Sequence, residues 1–160
     1  MPTRAEGEPH PPPIARMSIA VLALIGLFVS AYLALYKLGF LGSVQCGVGD
    51  CGVVQASRYA VFFGLPVALW GVGAYAALLA LSLLGVQPDR VGDGRIALAI
   101  FAVSALGLLF SGYLTYLEAA VIRAWCQWCV ISAVLITLIF LLSVRGLRHL
   151  RQPPPRRISP

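Results

Sequence analysis

Residues 124–144 read AWCQWCVISAVLITLIFLLSV, a run without a charged side chain that opens on the motif Cys126-Gln-Trp-Cys129. A helix rises about 1.5 Å per residue and needs about 20 apolar residues to cross the hydrocarbon core of a membrane. The run holds only 19 residues from Cys126 to Val144. It therefore predicts a membrane-spanning helix whose first turn carries both cysteines, at or just below the membrane surface.

Three other stretches are free of Asp, Glu, Lys and Arg and long enough to span a membrane: Met17–Tyr36, Tyr59–Pro88 and Ile96–Leu117. Only 11% of the 160 residues are charged, whereas a soluble domain carries about a quarter. Because lipid offers backbone groups no hydrogen-bond partner, segments of this length cross it as helices. The sequence predicts an all-α membrane protein, a four-transmembrane-helix bundle with an outer loop that carries a Cys pair.

The expected spans are about Arg16–Leu38, Phe62–Leu84 and Ile96–Glu118, followed by the one that begins at Cys126. Pro66 is placed in the first turns of the second span, where a missing N–H donor is tolerated. The outer segment that precedes this span is predicted to hold a short surface helix at Val53–Tyr59. Tyr113, Tyr116 and Glu118 are interpreted as interfacial anchors at the outer end of the third span.

The two ends of the chain differ in composition from its middle. Residues 1–13 are polar and Pro-rich, which predicts a disordered tail. Residues 14–146 form the predicted four-helix membrane domain. Residues 147–160 are basic and Pro-rich, and we expect this second tail to rest near anionic headgroups in the cytoplasm.

The distribution of Lys and Arg predicts the orientation of the spans, because cytoplasmic loops are enriched in these residues. With four spans, both termini and the 85–95 loop share one side, which carries nine of the 12 basic residues; the other side carries Lys37, Arg58 and Arg123. We expect a multi-pass protein of the inner (plasma) membrane with cytoplasmic termini. Both cysteine pairs then face outward, where disulfides persist. The bias explains the net charge of +6, so nucleic-acid binding is not expected.

The C-x-x-C pair has the spacing of two neighbours on one helical face. Cys126 and Cys129 are near enough on such a face to form a disulfide. A helix N-terminus favours the thiolate and lowers a thiol pKa, and Arg123 would add to this effect. The flanking indoles of Trp125 and Trp128 are interpreted chiefly as an aromatic belt.

The second pair lies in the Gly-rich loop Cys46-Gly-Val-Gly-Asp-Cys51. Glycine permits backbone conformations that other residues avoid. Such a loop suits a pair that offers one cysteine to a soluble partner and the other to Cys126. Ser57, which follows the loop, is by default a capping or surface residue.

Other readings of the four cysteines stay open. C-x-x-C also occurs in zinc sites, and four thiolates in two pairs suit a structural zinc ion. Capture or transport of a soft metal ion by membrane thiols is a second alternative. Cys46 and Cys51 could also form a plain structural disulfide, which would leave the other pair unexplained. We assign no metal site on the sequence.

Four motifs in order resemble the vitamin K epoxide reductase family in its bacterial membrane form. They are Cys51-Gly-x-Val-x-x-Ser57-x-Tyr-Ala60, Phe63-Gly-Leu-Pro66-Val-Ala-Leu-Trp-Gly71, Tyr113-Leu-Thr-Tyr116 and Cys126-Gln-Trp-Cys129. With the loop cysteine pair after the first span, the resemblance covers about residues 17–145. It implies a four-helix bundle around a quinone, either ubiquinone or menaquinone.

The resemblance also implies an activity and roles for single residues. Family members pass electrons from an extracytoplasmic thioredoxin-like (DsbA-like) protein to the quinone and so drive disulfide bond formation. By motif position, Cys129 resembles the cysteine beside the quinone and Cys126 its disulfide partner. Cys46 and Cys51 resemble the shuttle pair, and Ser57 resembles the loop serine near the active site, a cofactor-binding position.

This chain departs from the family pattern at three points. The two loop cysteines are separated by only four residues, which is shorter than in the relatives. We expect no fused thioredoxin-like domain, although many bacterial members carry one. Position 133 is Ala, where the animal enzyme has a Tyr four residues after the motif. Reduction of vitamin K epoxide is therefore not expected.

Overall fold

The structure, a computed structural model, describes residues 13–90 and 93–151. Apart from Pro13, the predicted N-terminal tail lies outside the described residues, and so do residues 152–160 of the predicted C-terminal tail. The last helix continues to Arg151. The first residues of the segment predicted as the basic tail, 147–151, are therefore helical.

Four helices in the described ranges are long and apolar enough to cross a membrane. They are α1 (Pro13–Lys37), α3 (Val67–Val86), α4 (Gly94–Tyr116) and α5 (Gln127–Arg151). Helix α1 packs against α3 and α5, and α4 packs against the same two helices. The predicted four-transmembrane-helix bundle is confirmed.

The segment between α1 and α3 forms the cap at the cysteine end of the bundle. It holds the short helix α2 (Cys51–Ala56) and a 3-10 turn at Arg58–Ala60, so the short helix predicted at Val53–Tyr59 is present with shifted bounds. A two-stranded antiparallel hairpin follows, in which β1 (Val61–Phe62) pairs with β2 (Leu65–Pro66).

The predicted start of the second span at Phe62 is wrong. Phe63 and Gly64 both have positive φ, at 50° and 77°, so the chain turns there instead of entering a helix. Pro66 then has extended backbone angles and directly precedes α3. Because Pro66 disfavours helical angles in the residue before it, Leu65 stays extended in the hairpin, and the helix begins at Val67.

A close contact between α1 and α3 sits at the centre of the bundle. The ring of Tyr75, which is 3% exposed, occupies the space where a side chain on Gly26 would lie. Ser30 and Ala34 continue this face of α1 and are buried as well. The small-residue stripe of α1 therefore does what its spacing predicts and lets two helices approach closely.

At the opposite end of the bundle, the buried side chain of Arg16 caps the C-terminus of α3. Its guanidinium donates to the carbonyl oxygens of Gly85 and, at 3.4 Å, Arg90. The last carbonyls of a helix lack intrahelical partners, and a cation there also opposes the helix dipole. Asp93 caps the next helix by accepting from the Arg95 N–H at 2.9 Å.

The α1–α3 contact makes a first prediction. Gly26→Ala places a methyl group inside the Tyr75 ring, so we expect a loss of about 1–3 kcal/mol of stability from overpacking and a lower melting temperature in detergent. Gly73→Ala is the matched control, because nothing lies within 4 Å of an added Cβ there. Intrinsic tryptophan fluorescence during heating measures the melting temperature of both variants. Equal melting temperatures would contradict the contact between Gly26 and Tyr75.

Candidate active site

The C-x-x-C motif lies where the backbone enters α5. Cys126 directly precedes the helix and Cys129 is in its first turn, as predicted from the length of the span. Both carry free thiols; Cys126 is buried and Cys129 half-buried. The Cys129 N–H donates to the Cys126 Sγ at 3.4 Å, so the helix N-terminus is directed at the Cys126 sulfur.

The same environment acts on the acidity of Cys126, which lies just before the span. A hydrogen bond from the Cys129 side chain lowers the pKa of the Cys126 thiol below its ordinary value, although burial opposes the shift. The predicted effect of the helix N-terminus has the same sign. Arg123, the other predicted contributor, is exposed and stands in the left-handed region at φ 56°.

The loop cysteines Cys46 and Cys51 are joined in a disulfide, with their Cα atoms 6.2 Å apart. Cys51 is the first residue of α2 and is 1% exposed, whereas Cys46 is half-buried. Cys51 shares one buried cluster with Cys126, and Cys46 and Cys129 pack against that cluster. All four predicted site cysteines thus come together at one end of the bundle.

Backbone contacts dock the loop onto the C-x-x-C segment. Gly49 and Cys126 form an isolated antiparallel bridge, and the Asp50 N–H donates to the Trp125 carbonyl at 3.0 Å. Gly49 has φ +88°, and a side chain on it would overlap the Trp125 oxygen. This glycine therefore permits a close approach of two backbones, beyond the mobility that the sequence predicted for the loop.

Two side chains of the motif itself hold the rest of the loop. The Gln127 Oε1 accepts from the N–H groups of Gly47 and Val48 at 3.0 and 3.1 Å. The Trp128 Nε1 donates to the Gln45 carbonyl at 2.8 Å. Trp128 thus has a docking role that the aromatic-belt interpretation missed. The docking role of Gln127 was not predicted, because the sequence shows only an amide side chain between the two cysteines.

Glu118 is the largest departure from the predicted site. Interpreted from sequence as an interfacial anchor, it is instead 4% exposed. Its Oε2 accepts from the Cys126 N–H at 3.1 Å, and its carboxylate lies within 4.8 Å of both thiol sulfurs. The helical backbone changes to a π-helix at Leu117–Ile122. Such segments are rare and are often found at functional sites.

A cavity of about 510 Å³ extends from this site into the bundle. Its wall is mostly apolar and comes from α1, α3, α4 and α5, with α2 and the segment after it above. The polar residues that line it are Ser30, Gln55, Ser57, Tyr59, Tyr75, Ser111, Thr115, Glu118, Cys129 and Ser132. Cys129 therefore faces the cavity from the first turn of α5.

Ser57 and the small residues of α4 take positions on the cavity wall. The Ser57 hydroxyl donates to the Val54 carbonyl at 2.7 Å at the end of α2, which agrees with its default capping role, and the residue also lines the cavity. Gly107, Ser111 and Thr115, the small stripe of α4, lie along the same wall. Tyr113 and Tyr116 point outward and are 53% and 63% exposed.

The structure bears on the metal alternatives in two ways. The four cysteines do not form a four-thiolate set in this state, because Cys46 and Cys51 are joined to each other. Glu118, Cys126 and Cys129 bring three ligand atoms within 4.8 Å of one another. Thiolates and carboxylates are both ligand types found at zinc sites.

Comparisons with known proteins agree with the motif pattern. The sequence model of the vitamin K epoxide reductase family matches residues 17–144. The chain is 32% identical over 124 residues to the thiol-disulfide oxidoreductase LTO1 of Arabidopsis thaliana. That match covers 74% of this chain and 33% of the plant protein, so the chain spans about a third of the length of this relative.

The docked loop makes a second prediction. Gly49→Ala adds a Cβ against the Trp125 oxygen and costs about 1–2 kcal/mol for the left-handed backbone alone. We expect the undocked state to rise about tenfold, and Cys126 in the reduced protein to be alkylated faster by the same factor. Mass spectrometry of maleimide-labelled peptides measures this rate.

Gly42→Ala is the matched control for this experiment. It lies in the same outer segment, has no positive φ and leaves an added Cβ in open space. Its Cys126 should be labelled at the wild-type rate. A Gly49→Ala variant that is labelled no faster than this control would contradict the docking geometry.

Proposed function

Because the chain belongs to the vitamin K epoxide reductase family, we propose that it is a membrane thiol–disulfide oxidoreductase with a quinone as electron acceptor. It reoxidises an extracytoplasmic thioredoxin-like (DsbA-like) protein and so drives disulfide bond formation. One observation carries the proposal: two cysteine pairs meet in a buried cluster at the mouth of an apolar cavity that Cys129 lines.

The exposure of each cysteine supports an order for the relay. The reduced partner exchanges with Cys46, the more accessible member of the loop pair. Cys51 then attacks the Cys126–Cys129 disulfide at Cys126, with which it shares a buried cluster. Cys129 leaves as a thiolate facing the cavity. Each exchange forms one sulfur–sulfur bond and breaks another.

The cavity fits a quinone by size and by chemistry. Ligand pockets commonly enclose about 300–1,000 Å³ and combine apolar walls with a few polar groups. Apolar walls suit the ring and isoprenoid tail of ubiquinone or menaquinone, and Ser57 and Tyr75 are candidates to contact the ring oxygens. When bound, the quinone supplies an acceptor for two electrons and two protons. The chain supplies the positioned thiols and keeps them beside the cavity.

We place the protein in the inner (plasma) membrane, with cytoplasmic termini and the cysteines outside. The nine-to-three distribution of Lys and Arg supports this orientation. Arg16, Arg90 and Arg95 lie around the Asp93 cap and the Gly85 carbonyl, at the end of the bundle opposite the cysteines. Cysteine pairs on the outer face are in a compartment where disulfides are maintained.

Thiol-based binding or transport of a soft metal is the second candidate. The grouping of Glu118 with the two C-x-x-C sulfurs favours it. The two candidates separate in one experiment on the reduced protein. Stoichiometric zinc binding without electron transfer to quinone favours the metal role, and thiol oxidation by quinone favours the oxidoreductase.

The third prediction tests the electron donor. Cys129→Ser leaves a hydroxyl at the cavity wall that cannot take part in disulfide exchange, so quinone reduction by dithiol substrates should fall to the uncatalysed background. Val130→Ser is the matched control, because it places a serine at the next position, which is exposed and does not line the cavity. Near-normal turnover in Cys129→Ser would remove Cys129 from the role of donor.

The fourth prediction tests the relay order. Cys46→Ala leaves Cys51 without its loop partner, so a link between Cys51 and Cys126 has no internal thiol on the loop to resolve it. Acid-quenched peptide mapping should show this disulfide accumulating. In the companion variant Cys51→Ala no comparable link should form from Cys46. A Cys51–Cys129 link in Cys46→Ala would reverse the assigned order.

A further inference from the structure

Glu118 is a buried carboxyl group whose oxygen lies within 4.8 Å of the sulfurs of Cys126 and Cys129. Ionisable side chains inside membrane domains are costly and commonly mark functional sites. Its Oε2 accepts a hydrogen bond from the Cys126 N–H at 3.1 Å, which holds the carboxyl group beside the two thiols. A group held in this way takes part in whatever proton movements accompany the chemistry of the thiols.

We propose that Glu118 is a catalytic proton acceptor, which takes the proton of the Cys126 thiol and passes it towards the cavity. The inference rests on the proposed function and adds to it the route of one proton. Among the lining residues that the structure describes, Cys129 and Glu118 face the cavity and Cys126 does not. Cys126 is also 0% exposed, so its proton needs a carrier, and Glu118 both lies beside Cys126 and lines the cavity.

Electrostatics favours this exchange over independent ionisation of the three groups. Like charges close together in a buried site disfavour each other. A second negative charge among Glu118, Cys126 and Cys129 is therefore disfavoured. When the Cys126 proton moves to Glu118, the thiolate forms as the carboxylate is neutralised. The net charge of the site is unchanged, and the Cys126 sulfur becomes a thiolate that is ready to re-form the bond with Cys129.

The proton route balances the overall reaction. Oxidation of the two thiols to a disulfide forms one S–S bond and releases two electrons and two protons. A quinone takes up both electrons and both protons to become a hydroquinone. Cys129 lines the cavity and releases its proton there directly. Cys126 releases its proton to Glu118, which gives it up on the cavity side and returns to the carboxylate form.

The local backbone places the carboxyl between the two thiols and the cavity. Helix α4 reaches Thr115 with its small residues on the cavity wall, and the π-helical segment that starts at Leu117 follows directly. Glu118 stands at the beginning of this segment and is both buried and cavity-lining.

The variant Glu118→Gln distinguishes the proton-accepting role of Glu118 from its role as a hydrogen-bond partner of the Cys126 N–H. The amide oxygen of Gln can still accept from the Cys126 N–H, but the side chain cannot take a proton at neutral pH. Glu118→Ala removes both properties, and Glu118→Asp keeps a carboxyl. Asp89→Asn is the matched control, since it removes an exposed carboxyl at the other end of the bundle.

The first readout uses the protein without quinone. Infrared difference spectra between the C-x-x-C disulfide and dithiol states should show a carboxyl C=O band that wild type and Asp89→Asn share and Glu118→Gln lacks. The second readout is the pH profile of single-turnover thiol oxidation by quinone. Loss of a general base lowers a rate by about 100-fold or more. Thiol oxidation should therefore be as slow in Glu118→Gln as in Glu118→Ala. Glu118→Asp should recover part of the wild-type rate.

The outcomes discriminate between this proposal and the function on which it rests. A Glu118→Gln variant with the wild-type rate and pH profile, or spectra without a redox-linked carboxyl band, would overturn the role of Glu118. A Gln variant as fast as wild type beside a slow Ala variant would reduce Glu118 to a structural partner of Cys126. Failure of the wild-type protein itself to reduce quinone would overturn the proposed function, and the infrared result would still decide the proton step.

Discussion

The contact between Gly49 and the backbone at Trp125 and Cys126 keeps the two cysteine pairs in one cluster. It consists of one strand-like bridge and one backbone hydrogen bond, with Gln127 and Trp128 holding the rest of the loop. Each hydrogen bond contributes about 0.5–1.5 kcal/mol net, so the loop is held by a few kcal/mol.

The features predicted correctly from the sequence are those that depend on hydrophobicity and on segment length. A charge-free run of limited length placed Cys126 and Cys129 in the first turn of α5, and four such runs predicted the bundle. The same signals cannot tell a helix from a short apolar hairpin. The start of α3 was therefore predicted five residues too early, since the turn at Phe63 needs a positive φ that no rule assigns to Phe.

Rotation of a side chain about its helix is equally invisible to hydropathy. Glu118 follows two tyrosines at the end of a span, a pattern typical of the membrane interface. The structure places it inward, in the π-helical segment that starts at Leu117. The docking of the loop also depends on contacts 75 or more residues apart in sequence, such as Gly47 with Gln127. The orientation of Glu118 and the docking of the loop both depend on tertiary packing. They determine which side chains lie beside the thiols and the cavity.

Electrons in this account move from the loop pair to the C-x-x-C and from there to a quinone in the cavity. The most direct measurement mixes the fully reduced protein with ubiquinone or menaquinone without oxygen and counts thiols and hydroquinone together. The account predicts that two thiols disappear for each hydroquinone formed, until all four are oxidised. Thiols that persist beside excess quinone, or that disappear only when oxygen is admitted, would contradict it.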